Sequence, residues 1–437
     1  METAIGIILL ITYVAFAIYA AKGGNLMLGF FVMAVLWAGL GALAGVTAWN
    51  ATESIAIDIN NGIFEQGPEL WGATAAIIIF GSWFGRVMVD TGIARTIIRK
   101  AVELGGDRPS ITCILLCIVT SLIFTSAYGA GAVVAIGVIV FPIMLSLGIP
   151  KPLATASFLM SVGAGLYFNL GWFNQVNALF DNQFPFDTKY QIFAAIAFGI
   201  QMIATILMII ISMKKKRVNH AWAATKATIQ TEKKVHSLAL LTPILPVVLA
   251  IFFDFKPITA ILVAVIWALL FSGNLKKWNE IGTLVQKTFY DGVADVGLVF
   301  AFLFFLQMFL RAAKVCAPLL APIVSPFMPS NLMLLFILFG VLGILAIFRG
   351  PLTIWGAGAA TLAMFQSIGT IPVGALFPLF LVPSTTVNGS ICPTQSWCLW
   401  AIGYNKVSIK DYFKEVLAYA LIVCLILEVV AYFIFAL

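Results

Sequence analysis

The sequence predicts an all-α polytopic membrane protein made of two inverted repeats, each with a re-entrant hairpin and a discontinuous helix. Three observations lead there. Of the 437 residues, 62% are hydrophobic and 10% charged, where a soluble domain carries about 25% charged residues. So few charges cannot cover a water-facing surface, and lipid must be the missing solvent. Apolar runs of spanning length, about 20 residues each, recur from Ile5 to Phe435. Finally, apolar runs in the middle of each half are broken by Gly, Ser, Thr, Asn and Pro at matched places.

The first apolar run, Ile5 to Ala20, follows Met1-Glu2-Thr3 rather than a basic region, so it reads as a mature helix and not a signal peptide. Helices are expected at about 4–21, 26–46 and 71–90. The loop from Trp49 to Glu69 holds Glu53, Asp58, Glu65 and Glu69 and no basic residue, which suits the external face. Arg95, Arg99, Lys100 and Arg108, and then Lys214 to Arg217 with Lys233 and Lys234, suit the cytoplasmic face. The formal charge of +7 is therefore a mark of orientation in a bilayer and not of a nucleic-acid partner. Between Ile93 and Leu104, isoleucines alternate with basic residues as in a helix lying on the inner surface.

From Pro109 the pattern changes. A hairpin is expected over about 109–149, with its tip at Thr125 to Gly131, and a broken helix over about 152–178. The plan recurs. Pro109-Ser110 returns as Pro329-Ser330 and Ile149-Pro150 as Ile371-Pro372, at offsets of 220 and 222 residues. The division is an N-terminal repeat at 1–213, a basic linker at 214–236 and a C-terminal repeat at 237–437. The second hairpin lies at about 330–370, the second broken helix at about 373–403 and the closing helices near 190–213 and 412–436. A hairpin adds no net crossing, so each half crosses an odd number of times and the second copy is inverted. Interrupted helices in inverted repeats point to a transporter site at the bilayer midplane.

A helix that stops inside the membrane must line a cavity or be buried in protein, and where it restarts it presents unpaired N–H groups that favour an anion. Pro393 suits the first turn of such a restart. No Asp or Glu occurs from Pro109 to Phe180 or from Ser330 to Lys410, and the one charge deep in these cores is Arg349. Arginine at the centre of a membrane costs at least about 2.5–3.5 kcal/mol, and its planar fork suits a carboxylate. The expected substrate-binding groups are Thr125, Ser126, Gly129, Gly131, Asn169 and Asn174 in the first half. In the second half they are Arg349, Thr353, Ser384, Thr385, Thr386, Asn388 and Thr394. Ser161, Ser390, Asp295 and Glu428 are the expected ion-coupling groups, for Na+ through hydroxyls and carbonyls or for H+ through the acids. No metal site or other cofactor is expected.

Enzyme signatures are absent. His220 and His236 both fall in the linker, so no Ser-His dyad can form in the membrane. The six cysteines show neither zinc spacing nor a disulfide framework.

Gly85-Arg86, Asp90-Thr91-Gly92-Ile93-Ala94-Arg95 and Gly105-Gly106-Asp107-Arg108-Pro109 resemble the gluconate permease and citrate transporter families of the ion transporter superfamily. The likeness spans nearly the whole chain and is mostly architectural. The Ser-Asn-Thr signature of the divalent-anion/sodium symporters does not occur at either tip. The resemblance implies a scaffold that forms a homodimer in the cytoplasmic (inner) membrane. It also implies a moving unit of two hairpins and two broken helices, working as an elevator for a carboxylate cotransported with H+ or Na+.

Overall fold

The computed structural model describes residues 2–45, 59–106, 108–215, 235–273, 278–327, 329, 331–369 and 371–436. Glu53, Asp58, His220 and the linker residues 216–234, which carry part of the sequence-based sidedness argument, lie outside the described residues.

The described residues form helices and no strand. Two helices, α1 (Glu2–Ala21) and α2 (Leu26–Leu43), make an opening hairpin, with Asn25 capping α2 by accepting from the Leu28 N–H. Next come α3 (Gly72–Asp90), the amphipathic α4 (Ile93–Gly105), and the paired arms α5 (Pro109–Phe124) and α6 (Ala130–Ser146). At 1.5 Å per residue these arms reach only about 24–26 Å, short of the roughly 30 Å of hydrocarbon. The first broken helix is α7 (Lys151–Leu166) and α8 (Leu170–Ala178), bent by 68°. It leads to α9 (Thr188–Lys215).

The second half opens with a 3-10 segment, Ser237–Ile244, then α10 (Leu245–Phe253), α11 (Pro257–Phe271) and the 47-residue α12 (Trp278–Val324). In the stretch expected as the second hairpin, α13 (Leu332–Val341) turns through 57° into a 3-10 segment Gly343–Arg349 and is followed by α14 (Gly358–Ile368), which packs chiefly on α12 while α13 packs chiefly on the last helix. The second broken helix is α15 (Val373–Val382), a π segment Pro383–Gly389, and α16 (Ser396–Tyr404). The last helix is α17 (Ile409–Ala431), continued by a π segment to Ala436. Among the described residues six helices are long and apolar enough to cross a membrane, or up to eight if each bent pair is one span.

One difference from the sequence reading concerns 49–69, expected as an external loop. Its described part is helical, a π segment Asn60–Glu65 followed by one α turn Gln66–Glu69. Arg311 on α12 explains it, because its Nε donates to the Gly62 carbonyl at 2.9 Å and an Nη donates to the Gln66 side chain. A cation at that helix satisfies a backbone acceptor that water would otherwise hold.

Ion pairs fix α12 along its length. Lys287 meets Asp90 at 2.8 Å and Lys314 meets Asp181 at 3.0 Å. The two lysines stand about 40 Å apart along the axis, close to the thickness of a bilayer with its headgroups. Between them, Arg86 of α3 holds both oxygens of Asp295 at 2.5 Å.

Side chains stitch the two halves together. Tyr167 meets Thr386 at 2.5 Å, Trp172 donates to Thr385 at 2.8 Å, Gln201 to Ser390 at 3.0 Å, Asn405 to Thr155 at 2.8 Å and Ser212 to Glu415 at 2.7 Å. Each bond joins a broken or closing helix of one half to a broken or closing helix of the other, so these elements form one packed body. The closing helices α9 and α17 run antiparallel, since Ser212 near the end of one meets Glu415 near the start of the other.

Candidate functional site

The chain turns sharply after α13. Phe348 and Arg349 adopt left-handed backbone at φ 55° and 60°, a conformation that costs a non-glycine residue roughly 1–2 kcal/mol. The return strand of the tip folds tightly on itself, with the Ala357 N–H donating to the Arg349 carbonyl at 2.9 Å. A Cβ at Gly356 would lie 2.1 Å from that same carbonyl oxygen, so only glycine fits. The turn points the Arg349 guanidinium towards α16 and α12. One Nη donates to Gln395 at 2.5 Å and, more weakly, to the Thr394 carbonyl at 3.4 Å, and the other to the Trp355 carbonyl at 3.3 Å. Its face lies over the Phe302 ring of α12 at 5.5 Å. Among the described residues Arg349 makes no ion pair with an acid.

A cavity of about 590 Å³ opens in front of this arginine. One wall is the turn between α1 and α2, with Leu298, Phe302 and neighbours on α12. The other is formed by the breaks: Tyr128 from the first hairpin, Trp172 and Gln175 from α8, Trp355 from the second hairpin, and Thr394 to Trp397 entering α16. The rings form a cluster. Trp172 lies 5.3 Å from Trp355, 6.3 Å from Trp397 and 6.4 Å from Tyr128. Three N–H donors on the lining residues have no hydrogen-bond partner among the described residues, namely Arg349 Nε, Trp355 Nε1 and Gln175 Nε2. Buried donors are seldom left so.

Of the residues expected from sequence to bind substrate, Arg349 and Thr394 line this cavity. The others hold the breaks together. Asn169 caps α8 through the Trp172 N–H, and its amide donates to the carbonyls of Phe124 and Ala127 at the end of α5. Thr125 donates to the Leu122 and Pro243 carbonyls, Asn174 to the Leu170 carbonyl and Ser161 to the Ser157 carbonyl. Ser384 accepts from the Ile354 N–H and Thr353 from the Trp355 N–H. Thr385 and Thr386 take the bonds to Trp172 and Tyr167, and Ser390 donates to the Thr385 carbonyl while accepting from Gln201. Asn388 donates to the Ala346 carbonyl, and its side-chain oxygen has no partner among the described residues; the Ser126 hydroxyl is likewise buried and unpartnered. Gly129 has φ 98° at the first tip. Gly131 faces the Asp295 carboxylate, and a Cβ there would lie 1.9 Å from it. Pro393 sits in the turn three residues before α16, not in its first helical turn, because Gln395 occupies the N-cap position.

The acids expected to couple ions part company. Asp295 is 11% exposed and held by Arg86. Glu428 on α17 is fully buried with both oxygens unpartnered among the described residues. Sequence reasoning did not place Tyr128, Trp172, Gln175, Trp355, Gln395 or Trp397 in the site. The signal available was position, since each lies within a few residues of one of the four breaks.

No protein-family model matches the chain, and no curated protein matches its sequence. Among solved structures it is similar to the Alcanivorax borkumensis YdaH transporter, whose crystal structure is described as revealing an unusual topology. The TM-score is 0.63 at 16% identity, over 93% of this chain and 97% of that one. The chain therefore has the fold of a membrane transporter.

Proposed function

We propose that the chain is a secondary active transporter, a symporter that moves a small organic anion across the cytoplasmic membrane with H+ or Na+ by an elevator motion. The observation that carries this reading is Arg349, which makes no ion pair among the described residues and lines a cavity of about 590 Å³, beside two further lining residues, Trp355 and Gln175, whose N–H donors have no partner there. An excess of donors beside an arginine that makes no ion pair asks for an acceptor-rich anion, and a guanidinium holds a carboxylate with two parallel bonds. Gluconate-, citrate- and C4-dicarboxylate-like acids are the classes to test. One arginine among rings and neutral groups suits a single carboxylate on a body that stacks against tryptophan.

The elevator reading draws on the two walls of the cavity. One belongs to α12 and the α1–α2 turn, the other to the hairpin tips and broken helices that the inter-half hydrogen bonds tie together. Sliding the second body along the first would carry Arg349 past Phe302. A homodimer through the α12 side would hold that wall still. The test is uptake of labelled gluconate, citrate, succinate and benzoate into proteoliposomes, with proton and sodium gradients imposed one at a time. Accumulation of one of them on one gradient is expected, and no uptake of any on either gradient refutes the reading.

A further inference from the structure

We infer that Glu428 is the proton carrier of this transporter, and that proton and anion are tied together by the charge of the moving body; this rests on the proposed symport. The acid stands on α17, eight residues and about two turns before the helical chain ends at Ala436. It is 0% exposed, and neither oxygen has a hydrogen-bond partner among the described residues. A carboxyl group this deep is retained against a large desolvation cost unless it is paired or carries a proton.

Among the described residues it has no fixed partner. α17 packs against α7, α9, α13, α15, the 3-10 segment Gly343–Arg349 and the π segment Pro383–Gly389. Gly343 lies beside Cys424, while Arg349 is at the other end of its segment, next to Phe348, which meets Phe413 near the start of α17. From these elements the titratable groups within electrostatic reach are Tyr167, just past α7, and Cys424, one turn back on α17 itself. Tyr190 on α9 donates to the Tyr167 carbonyl. Lys189, beside it, is exposed and rests over the Phe435 ring. The basic and acidic residues at the start of α17, Lys410, Asp411, Lys414 and Glu415, are three or more turns away along the helix. α13, α15 and the π segment carry no titratable residue.

Polar groups lead from the acid to the cavity. Tyr167, beside Glu428, bonds Thr386, and the next residue, Thr385, takes the bond from Trp172, which lines the cavity. Within the body of hairpins, broken helices and closing helices, the formal charges away from the helix ends are Arg349 and Glu428. This arithmetic produces coupling. With a monoanion on Arg349 and a proton on Glu428, the body is neutral. Empty, with Glu428 ionised, it is neutral again. Loaded without the proton, or empty with it, the body carries a net charge through hydrocarbon, which is costly. An O–H bond forms at a Glu428 oxygen on the side of uptake, with the proton taken from bulk water there, and breaks on the side of release, with the proton given to bulk water there. Asp295 cannot play this part while Arg86 neutralises it on the other wall.

The experiment uses full-length protein in proteoliposomes, with the four labelled acids named above, and compares parent, Glu428→Gln and Glu428→Asp. A glutamine keeps the loaded body neutral and leaves the empty body charged. Glu428→Gln is therefore expected to exchange internal for external anion at the parental rate, yet lose accumulation driven by a pH gradient; Glu428→Asp restores accumulation in part. A second arm needs no substrate. Dicyclohexylcarbodiimide, an apolar reagent for protonated carboxyls, is expected to modify Glu428 faster at acid than at alkaline pH, as read by peptide mass spectrometry. Proton-driven accumulation in Glu428→Gln equal to the parent overturns the proposal. So does joint loss of exchange and accumulation in folded protein, or modification that is absent or indifferent to pH. If none of the four acids moves in the parent, the symport reading has failed on that panel, and the carbodiimide arm still decides whether Glu428 takes up and releases a proton.

Discussion

Arg349 is the residue on which the proposed anion site stands, and its replacement by glutamine separates recognition from architecture. Among the described residues the guanidinium makes three bonds to protein, through Gln395 and the carbonyls of Thr394 and Trp355, and its Nε has no partner. Binding to a carboxylate through a charge-assisted bond is worth about 1.5–3 kcal/mol, so Arg349→Gln is expected to weaken affinity about ten- to a hundredfold. For the fold, two terms oppose. The substitution removes the cost of a desolvated charge, and it strands the Gln395 oxygen, at about 1–3 kcal/mol. The expected change in melting temperature is therefore small. Arg349→Lys keeps the charge without the fork and cannot serve Gln395 and a ligand together, so its affinity should fall between parent and glutamine. Calorimetric titration of the purified variants, with whichever acid the parent accumulates, reads all three. Parental affinity in Arg349→Gln would refute the reasoning and leave the arginine as an anchor for the tip.

Three other outcomes are expected. Gly131→Ala places a methyl 1.9 Å from an Asp295 oxygen, and such overpacking costs about 1–3 kcal/mol; thermal unfolding in detergent should show a lowered midpoint, and an unchanged one would mean the tip moves aside freely. Asp295→Asn leaves Arg86 without its carboxylate and should lower stability by less than the roughly 3–5 kcal/mol of a fully buried pair, because both partners keep some exposure; pH-driven uptake should survive in it, and loss of that uptake with binding intact would move the proton site to Asp295. Cysteines placed at 58 and 181 should react with impermeant maleimide from outside and one at 220 from inside, the reverse pattern disproving the orientation drawn from the basic loops.

Much of the fold was legible in the sequence because lipid imposes simple rules. The hairpin expected at 109–149 appears as α5 and α6, and the broken helix at 152–178 as α7 and α8. The second set, expected at 330–370 and 373–403, appears as α13 with α14 and as α15 with α16. Proline, glycine and a capping asparagine mark these breaks locally. What the sequence did not show was set by distant partners. The helical course of 59–69 depends on Arg311, some 250 residues away. The length of α12 was hidden by its run of mixed polarity from Trp278 to Asp295, which ion pairs to α3 make tolerable.

Of the residues expected to bind substrate only Arg349 and Thr394 line the cavity, for a reason that follows from the medium. Inside a membrane every broken helix leaves backbone groups that water cannot satisfy, so hydroxyls and amides gathered at a break have work to do before any ligand arrives. Asn169 meets three such groups, and Thr125, Ser161 and Ser384 meet at least one each. A cluster of Ser, Thr and Asn at a break thus marks the place of a site without naming its contacts. The groups left over are those with more donors than the local carbonyls can take. Arg349 offers five donors and no acceptor, and Trp355 and Gln175 each bring an N–H that has no acceptor among the described residues. On the proposed reading, donor excess, and not polarity alone, distinguishes the residues left to hold an anion from those that hold the helix ends, and the largest excess falls at the very tip where the chain puts Phe348 and Arg349 in left-handed backbone.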